Sequence, residues 1–174
     1  MYIEEYFAPN NEEACHLNSF YMKYIILEDI RSAYNVGAIF RTADAAGVAK
    51  VFLVGYTPAP IDRFGRVQGE IEKTSLGASK TMAWEQVATT KEIIERLQAS
   101  GVIVAAVELA PGSVSLKDFT EPEHVAYIVG NEVDGVSKEA LELADVVVEL
   151  PMLGQKESLN VSVTAGIVLY HGLT

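Results

Sequence analysis

The chain has 174 residues, 49% of them hydrophobic, and a net charge of −11 from 13 Lys and Arg against 24 Asp and Glu. That length suits one compact domain with a sizeable core, and the acidic balance argues against indiscriminate nucleic-acid binding, which needs a cationic excess. The single cysteine, Cys15, excludes an intrachain disulfide and fits a reducing compartment; with no apolar run near the ~20 residues that span a bilayer and no basic-then-apolar leader, a cytoplasmic protein without a membrane anchor is expected.

Residues 1–22 carry four acids, no Lys or Arg and no clear period, and read as a terminal arm. A single domain is expected over 23–174. Tyr24–Leu27 is a short continuous apolar run, a buried strand by its length. After the polar loop 28–32, Val36, Ile39, Phe40 and Ala43 recur at helical spacing, and Gly47 ends the helix. Val51–Val54 is a second strand. Residues 55–70, with Pro58, Pro60, Gly65 and Gly69, form a long loop, and 72–80 a short helix that Gly77 weakens. Thr89 and Glu92 resemble a capping box opening a helix through Ala99. Strands follow at 102–107, 125–129 and 146–150, with a short helix over 137–143 and a last helix over 159–173. Continuous apolar strands alternating with helices indicate an α/β fold, a mainly parallel sheet with helices on both faces. Ligands of such sheets bind beyond the carboxyl ends of the strands.

Three post-strand stretches are candidates for chemistry. The first, Arg31–Ala43, places Asn35 near a helix start and sets Gly37 and Arg41 on one stripe, where a glycine beneath an arginine leaves room for a ligand. An Arg41–Asp44 pair is the plainer reading. The second, Gly130-Asn131-Glu132, puts an acid at a strand's carboxyl end; a glycine-rich turn capped by Ser137 explains it equally. The third, Pro151–Asn160, is a Pro/Gly loop that delivers Glu157, Ser158 and Asn160 to a helix entrance, where free N–H groups gather. Ser158 acting as a simple N-cap is the alternative. Glycine-rich dinucleotide and phosphate-loop motifs are absent, and His16, His124 and His171 lack metal-ligand spacing, so no metal is expected. His124, ahead of an apolar strand, reads as structural.

Taken in order, Asn35…Arg41, Gly130-Asn131-Glu132 and Pro151-Met152…Ser158-Leu159-Asn160 resemble the three motifs of the SpoU/TrmH family of RNA 2′-O-ribose methyltransferases, of the SPOUT class. Gly55–Pro58 and Lys73–Ala78 also look like segments of TrmH-like members, and the resemblance covers roughly 24–173. It implies a C-terminal deep trefoil knot, a homodimer, and S-adenosylmethionine contacted by Leu109, Gly130, Leu150, Met152 and Leu159, largely through backbone groups. It implies methyl transfer to a ribose 2′-hydroxyl in tRNA or rRNA, not DNA. The resemblance gives Arg41 the central role, as a base or as an electrostatic and positioning group, and implies that Asn35, Glu132, Ser158 and Asn160 position it and the RNA. Val133 stands where members often have Gly, so the middle loop is expected to bend differently.

Charge is uneven along the chain. Residues 23–80 carry eight Lys and Arg against six acids, whereas 81–174 carry five against fourteen. Arg31, Arg63, Arg66, Lys73 and Lys80 are therefore the expected RNA face. A non-catalytic RNA-binding or assembly protein that keeps this fold is the alternative, and a generic nucleotide-binding α/β protein a third reading, poor without a phosphate-binding loop.

Overall fold

Seven strands form one parallel sheet in the order β3-β2-β1-β6-β4-β7-β5. The computed structural model describes residues 21–173, so all but the last two residues of the expected N-terminal arm, and Cys15, lie outside it. The strands are β1 (Met22–Glu28), β2 (Lys50–Val54), β3 (Trp84–Val87), β4 (Ile103–Val107), β5 (Val114–Ser115), β6 (His124–Val129) and β7 (Val146–Glu149). The helices are α1 (Ala33–Ala45), α2 (Gly69–Ser75), α3 (Ala78–Thr81), α4 (Thr90–Ala99), α5 (Lys138–Leu143) and α6 (Val161–Tyr170).

The continuous apolar runs follow from burial on both faces. In β1, Ile25 and Leu27 enter one core while Ile26 enters the other. In β6, Val125, Tyr127 and Val129 face the first core and Ala126 and Ile128 the second. Helices α1, α2, α3 and α6 cover the first core, with Val36, Ile39, Phe40, Ile71, Ala165 and Leu169 among its fully buried residues. Helices α4 and α5 cover the second through Ile93, Ile94, Leu97 and Ala140. The result is a three-layer α/β/α domain.

Two strands escape the apolar-run criterion. β3 is an edge strand with only Val87 buried, and β5 has two residues. The expected 72–80 helix is two helices, because Leu76 (φ 50°) and Gly77 (φ 99°) turn the chain through left-handed backbone. Thr89 caps α4 by accepting the Glu92 N–H at 3.2 Å, as expected. The last helix starts at Val161, later than expected, and its cap is Asn160, which accepts the Ser162 N–H at 2.9 Å. β7, the last strand, lies between β4 and β5, both of which precede it in the chain.

Candidate active site

β1, β6 and β7 run parallel, so the loops that follow them leave from one edge of the sheet. Those loops carry the three sequence motifs, and hydrogen bonds join them. Glu132 Oε2 accepts the Arg31 N–H at 3.0 Å, while Oε1 accepts the Ser32 N–H at 3.2 Å and Asn35 Nδ2 at 2.9 Å. Asn35 Oδ1 in turn accepts Asn160 Nδ2 at 3.2 Å. Asn160 Oδ1 is then left to cap α6. Each amide is oriented by its neighbours, from the carboxylate outward. Burial acts to raise the Glu132 pKa, but the Arg31 N–H, the Asn35 amide and neighbouring backbone N–H groups outweigh it and hold the carboxyl below its ordinary range.

The middle loop is held by a second asparagine. Asn131 is buried; its Oδ1 accepts the N–H groups of Val133 (2.7 Å) and Asp134 (3.0 Å), and its Nδ2 donates to Asp29 O (2.9 Å) and Tyr56 Oη (2.5 Å). Gly130 is required by close approach, because a Cβ there would lie 2.2 Å from the Gly135 carbonyl. Val133 is not among the residues with positive φ and points outward, 74% exposed, so the turn accommodates it without glycine.

A cleft of about 500 Å³ opens between these loops, within the usual range for small-molecule sites. Leu109, Gly130, Leu150, Met152 and Leu159, the five residues expected to touch a cofactor, all line it, as do Glu132, Ser158 and Asn160. Residues 152 to 159 make no hydrogen bond among the described residues, and four of them, Met152, Glu157, Ser158 and Leu159, line the cleft.

The sequence profile of the SpoU rRNA Methylase family matches residues 22–170. The chain belongs to that family. It is 34% identical over 145 residues to the 23S rRNA (guanosine-2′-O-)-methyltransferase RlmB of Neisseria meningitidis serogroup B, covering 83% of this chain and 55% of the relative. It is 32% identical over 149 residues to the tRNA (guanosine(18)-2′-O)-methyltransferase of Escherichia coli K12, covering 84% and 60%. The AdoMet-bound rRNA methyltransferase of Sinorhizobium meliloti superposes with a TM-score of 0.78 at 32% identity, over 86% of this chain and 55% of that one. The chain thus spans little more than half the length of the curated relatives it matches.

Within the SpoU fold, Arg41 stands apart from the hydrogen-bonded motif residues. It lies six residues beyond Asn35, ~9 Å along the α1 axis. There it lines a second cleft, of about 550 Å³, with Thr42, Lys73, Thr74, Leu76 and Tyr170. The space expected beneath it at Gly37 is filled by α2: a Cβ on Gly37 would lie 2.0 Å from Thr74 Oγ1 and 2.7 Å from Ile71 O. Gly37 is therefore a helix-packing glycine. Among the described residues Arg41 forms no ion pair, with Asp44 or any other acid.

The expected RNA face divides in two. Arg66 pairs with Asp62 at 2.7 Å and Lys80 pairs with Glu72. Arg31, Arg63 and Lys73 are exposed without a carboxylate partner among the described residues. The structure also supplies two carboxylates that no motif signalled. Glu28, 4% exposed, accepts Thr90 Oγ1, Ser137 Oγ (2.7 Å) and the Ser137 N–H (2.8 Å), tying the end of β1 to the starts of α4 and α5. Glu108 accepts the N–H groups of Leu109 (2.9 Å) and Val136 (3.0 Å), closing one wall of the cleft. Neither has a spacing signal in sequence, since their partners lie as far as 109 residues away.

Proposed function

We propose that this SpoU-family chain transfers a methyl group from S-adenosylmethionine to a ribose 2′-hydroxyl of ribosomal or transfer RNA. The observation that carries this is the hydrogen-bonded chain in which Asn35 joins Glu132 to Asn160, the latter two lining one cleft. The names of the Neisseria and Escherichia relatives and the AdoMet-bound Sinorhizobium structure support the reaction and the cofactor.

The cleft suits that cofactor by its donor set. Leu109, Leu150, Met152 and Leu159 offer apolar walls, and the unpaired amides of Met152, Glu157, Ser158 and Leu159 offer hydrogen bonds by which an adenine and an amino-acid tail would be read. When bound, S-adenosylmethionine supplies an activated methyl group. The rest of the work falls to side chains of the protein. The Asn160–Asn35–Glu132 chain fixes the start of α6 against α1 and the middle loop, so the cleft keeps its shape. Ser158 presents a hydroxyl at the wall. Arg41 carries a planar guanidinium with five N–H donors, which suits it to orienting a phosphate or ribose and stabilising a developing alkoxide.

A homodimer accompanies this reading. Leu153 (99% exposed), Val163 and Ile167 make an apolar surface on the final loop and α6. Leu150, Met152 and Leu159 line both the cleft and an adjoining apolar hollow that includes Leu153 and Ile167, so this surface is continuous with the cleft. The trefoil knot belongs to the same reading and is supported by the insertion of β7 between β4 and β5. A cytoplasmic location, where RNA is modified, goes with it.

The test is transfer of labelled methyl from S-adenosylmethionine to total RNA from cells lacking the protein, followed by nucleoside analysis. A 2′-O-methylated nucleoside is the expected product. Arg41→Ala should abolish transfer and preserve cofactor binding by isothermal titration; near-normal turnover removes Arg41 from the mechanism. Cofactor binding without transfer to any RNA points to a missing partner or an unusual substrate, and absence of cofactor binding as well favours the non-catalytic RNA-binding alternative.

A further inference from the structure

The segment between β2 and α2, residues 55–68, leaves the same sheet edge as the loops of the cleft. Its root is fixed. Thr57 Oγ1 donates to Leu27 O (2.9 Å) and accepts the Ile30 N–H (3.0 Å). Tyr56 Oη meets the side-chain amide of Asn131, the neighbour of Glu132. Its far end is an ordered hairpin: Ile61 bridges Val67 in antiparallel fashion, and the Asp62 N–H donates to Arg66 O at 2.9 Å. Asp62 Oδ1 accepts the N–H groups of Phe64 (2.8 Å) and Arg66 (2.9 Å).

This hairpin displays Phe64, 67% exposed, with the Arg63 and Arg66 guanidinium carbons 4.8 Å and 5.1 Å from the ring centroid. Both are within cation–π range. The two arginines differ in what holds them. Arg66 Nε is bound to Asp62 Oδ2 at 2.7 Å, whereas Arg63 has no carboxylate partner among the described residues. Arg63 can therefore leave the ring without breaking an ion pair.

We propose that the 61–67 hairpin is an RNA-holding arm in which an unpaired nucleobase stacks on Phe64 while Arg63 moves from the ring to an adjacent phosphate. The inference rests on the RNA methyltransferase reading above and names how that substrate is held. A flat ring flanked by cations fits a flat base on an anionic backbone better than it fits an apolar protein surface. A base inside a duplex has no free face to offer, so the arm selects single-stranded loops or bulges. The root contact of Tyr56 with Asn131 couples the arm to the cleft, and it allows the arm to hold RNA beside the reacting nucleotide.

The experiment measures the concentration of total RNA, from cells lacking the protein, that gives half-maximal methyl transfer by the full chain. Phe64→Ala should raise that concentration about tenfold, the value of one stacked base, with the maximal rate within twofold and S-adenosylmethionine affinity unchanged. Phe64→Trp should behave as wild type. Arg63→Gln should lower the slope of log affinity against log salt by about 0.7, the loss of one phosphate contact to a single strand. A Phe64→Ala protein with wild-type RNA dependence overturns the arm and leaves a protein partner as the occupant of this surface. Equal impairment of Phe64→Ala and Phe64→Trp overturns stacking. A wild-type chain that methylates no RNA and binds no S-adenosylmethionine refutes the underlying reading alone; the arm then rests on RNA affinity, and Phe64→Ala binding the same RNA as tightly as wild type overturns it.

Discussion

Lys23→Met should be among the most destabilising single substitutions in this chain, although Lys23 is far from the cleft in sequence. Its Nζ lies 2.8 Å from Glu121 Oε1, 3.0 Å from Leu169 O and 2.8 Å from His171 O, so all three of its protons are engaged. The side chains of Lys23 and Glu121 are only 6% and 4% exposed. Glu121 Oε1 also accepts the Tyr127 hydroxyl at 2.6 Å. Burial, and then the Glu121 carboxylate, push the Tyr127 phenol far above its ordinary pKa. Removing the ammonium leaves a buried carboxylate with one neutral donor, and two carbonyls at the end of α6 lose their partner. Breaking a buried pair from one side costs about 3–5 kcal/mol. For a domain of this size that lowers Tm by roughly 10 °C, from a total stability of about 5–15 kcal/mol. Urea unfolding followed by far-UV circular dichroism would give the loss, at constant m-value. Adding Glu121→Gln to Lys23→Met should recover about 2 kcal/mol, because the stranded charge is gone. A loss under about 1 kcal/mol for Lys23→Met, or single costs that simply add, would refute the account of a buried, mutually dependent pair.

Gly130→Ala should lower Tm and abolish S-adenosylmethionine binding in isothermal titration, since its Cβ would lie 2.2 Å from the Gly135 carbonyl and force the loop that carries Glu132 to move. Gly69→Ala, whose Cβ would meet nothing within 4 Å, is the control and should stay within about 0.5 kcal/mol of wild type. Glu132 has a pKa lowered from 4.5, so its contribution to stability is complete above that pH and disappears as pH falls through the still lower folded-state value. Glu132→Gln should therefore flatten the stability profile measured between about pH 5 and pH 3; an unaltered slope would show that the carboxylate is not held by its three donors.

The parts of the fold that sequence made visible are those with one local cause. β1 and β6 show as unbroken apolar runs because Ile25 and Leu27 go to one core and Ile26 to the other. β3 has no such run, being an edge strand whose Trp84 and Glu85 are half-buried, and the left-handed backbone at Leu76 has no residue-type signal at all. The site behaves alike. Asn35, Glu132 and Asn160 are visible because each stands just after a strand or at a helix entrance. Which of them bond to one another depends on the register of β1 against β6 and on where β7 enters the sheet, and neither is written locally. Gly37 shows how this misleads: its spacing from Arg41 is real, but the neighbour that requires a glycine is Thr74 of α2.

Charge counting shows the surplus but not how it is paired, and the pairing bears on how so acidic a chain would hold the proposed RNA substrate. The surplus over 23–80 includes Lys23 and Lys50, whose partners Glu121 and Glu85 lie in the acidic remainder of the sequence. Arg66 and Lys80 are paired within the segment. The cations left without a carboxylate partner among the described residues are Arg31, Arg41, Arg63, Lys73 and Lys156. Their positions are not scattered. Arg31 adjoins Glu132 through its backbone, Lys156 is in the loop beside the cleft, Arg41 and Lys73 share the second cleft, and Arg63 is on the hairpin. Acids elsewhere neutralise the remaining Lys and Arg and repel a polyanion from the other surfaces. A net charge of −11 is thus compatible with the proposed RNA binding if these few uncompensated cations are the ones that meet the RNA. Such a protein should bind RNA with a shallow salt dependence, set by these few contacts and not by the net charge.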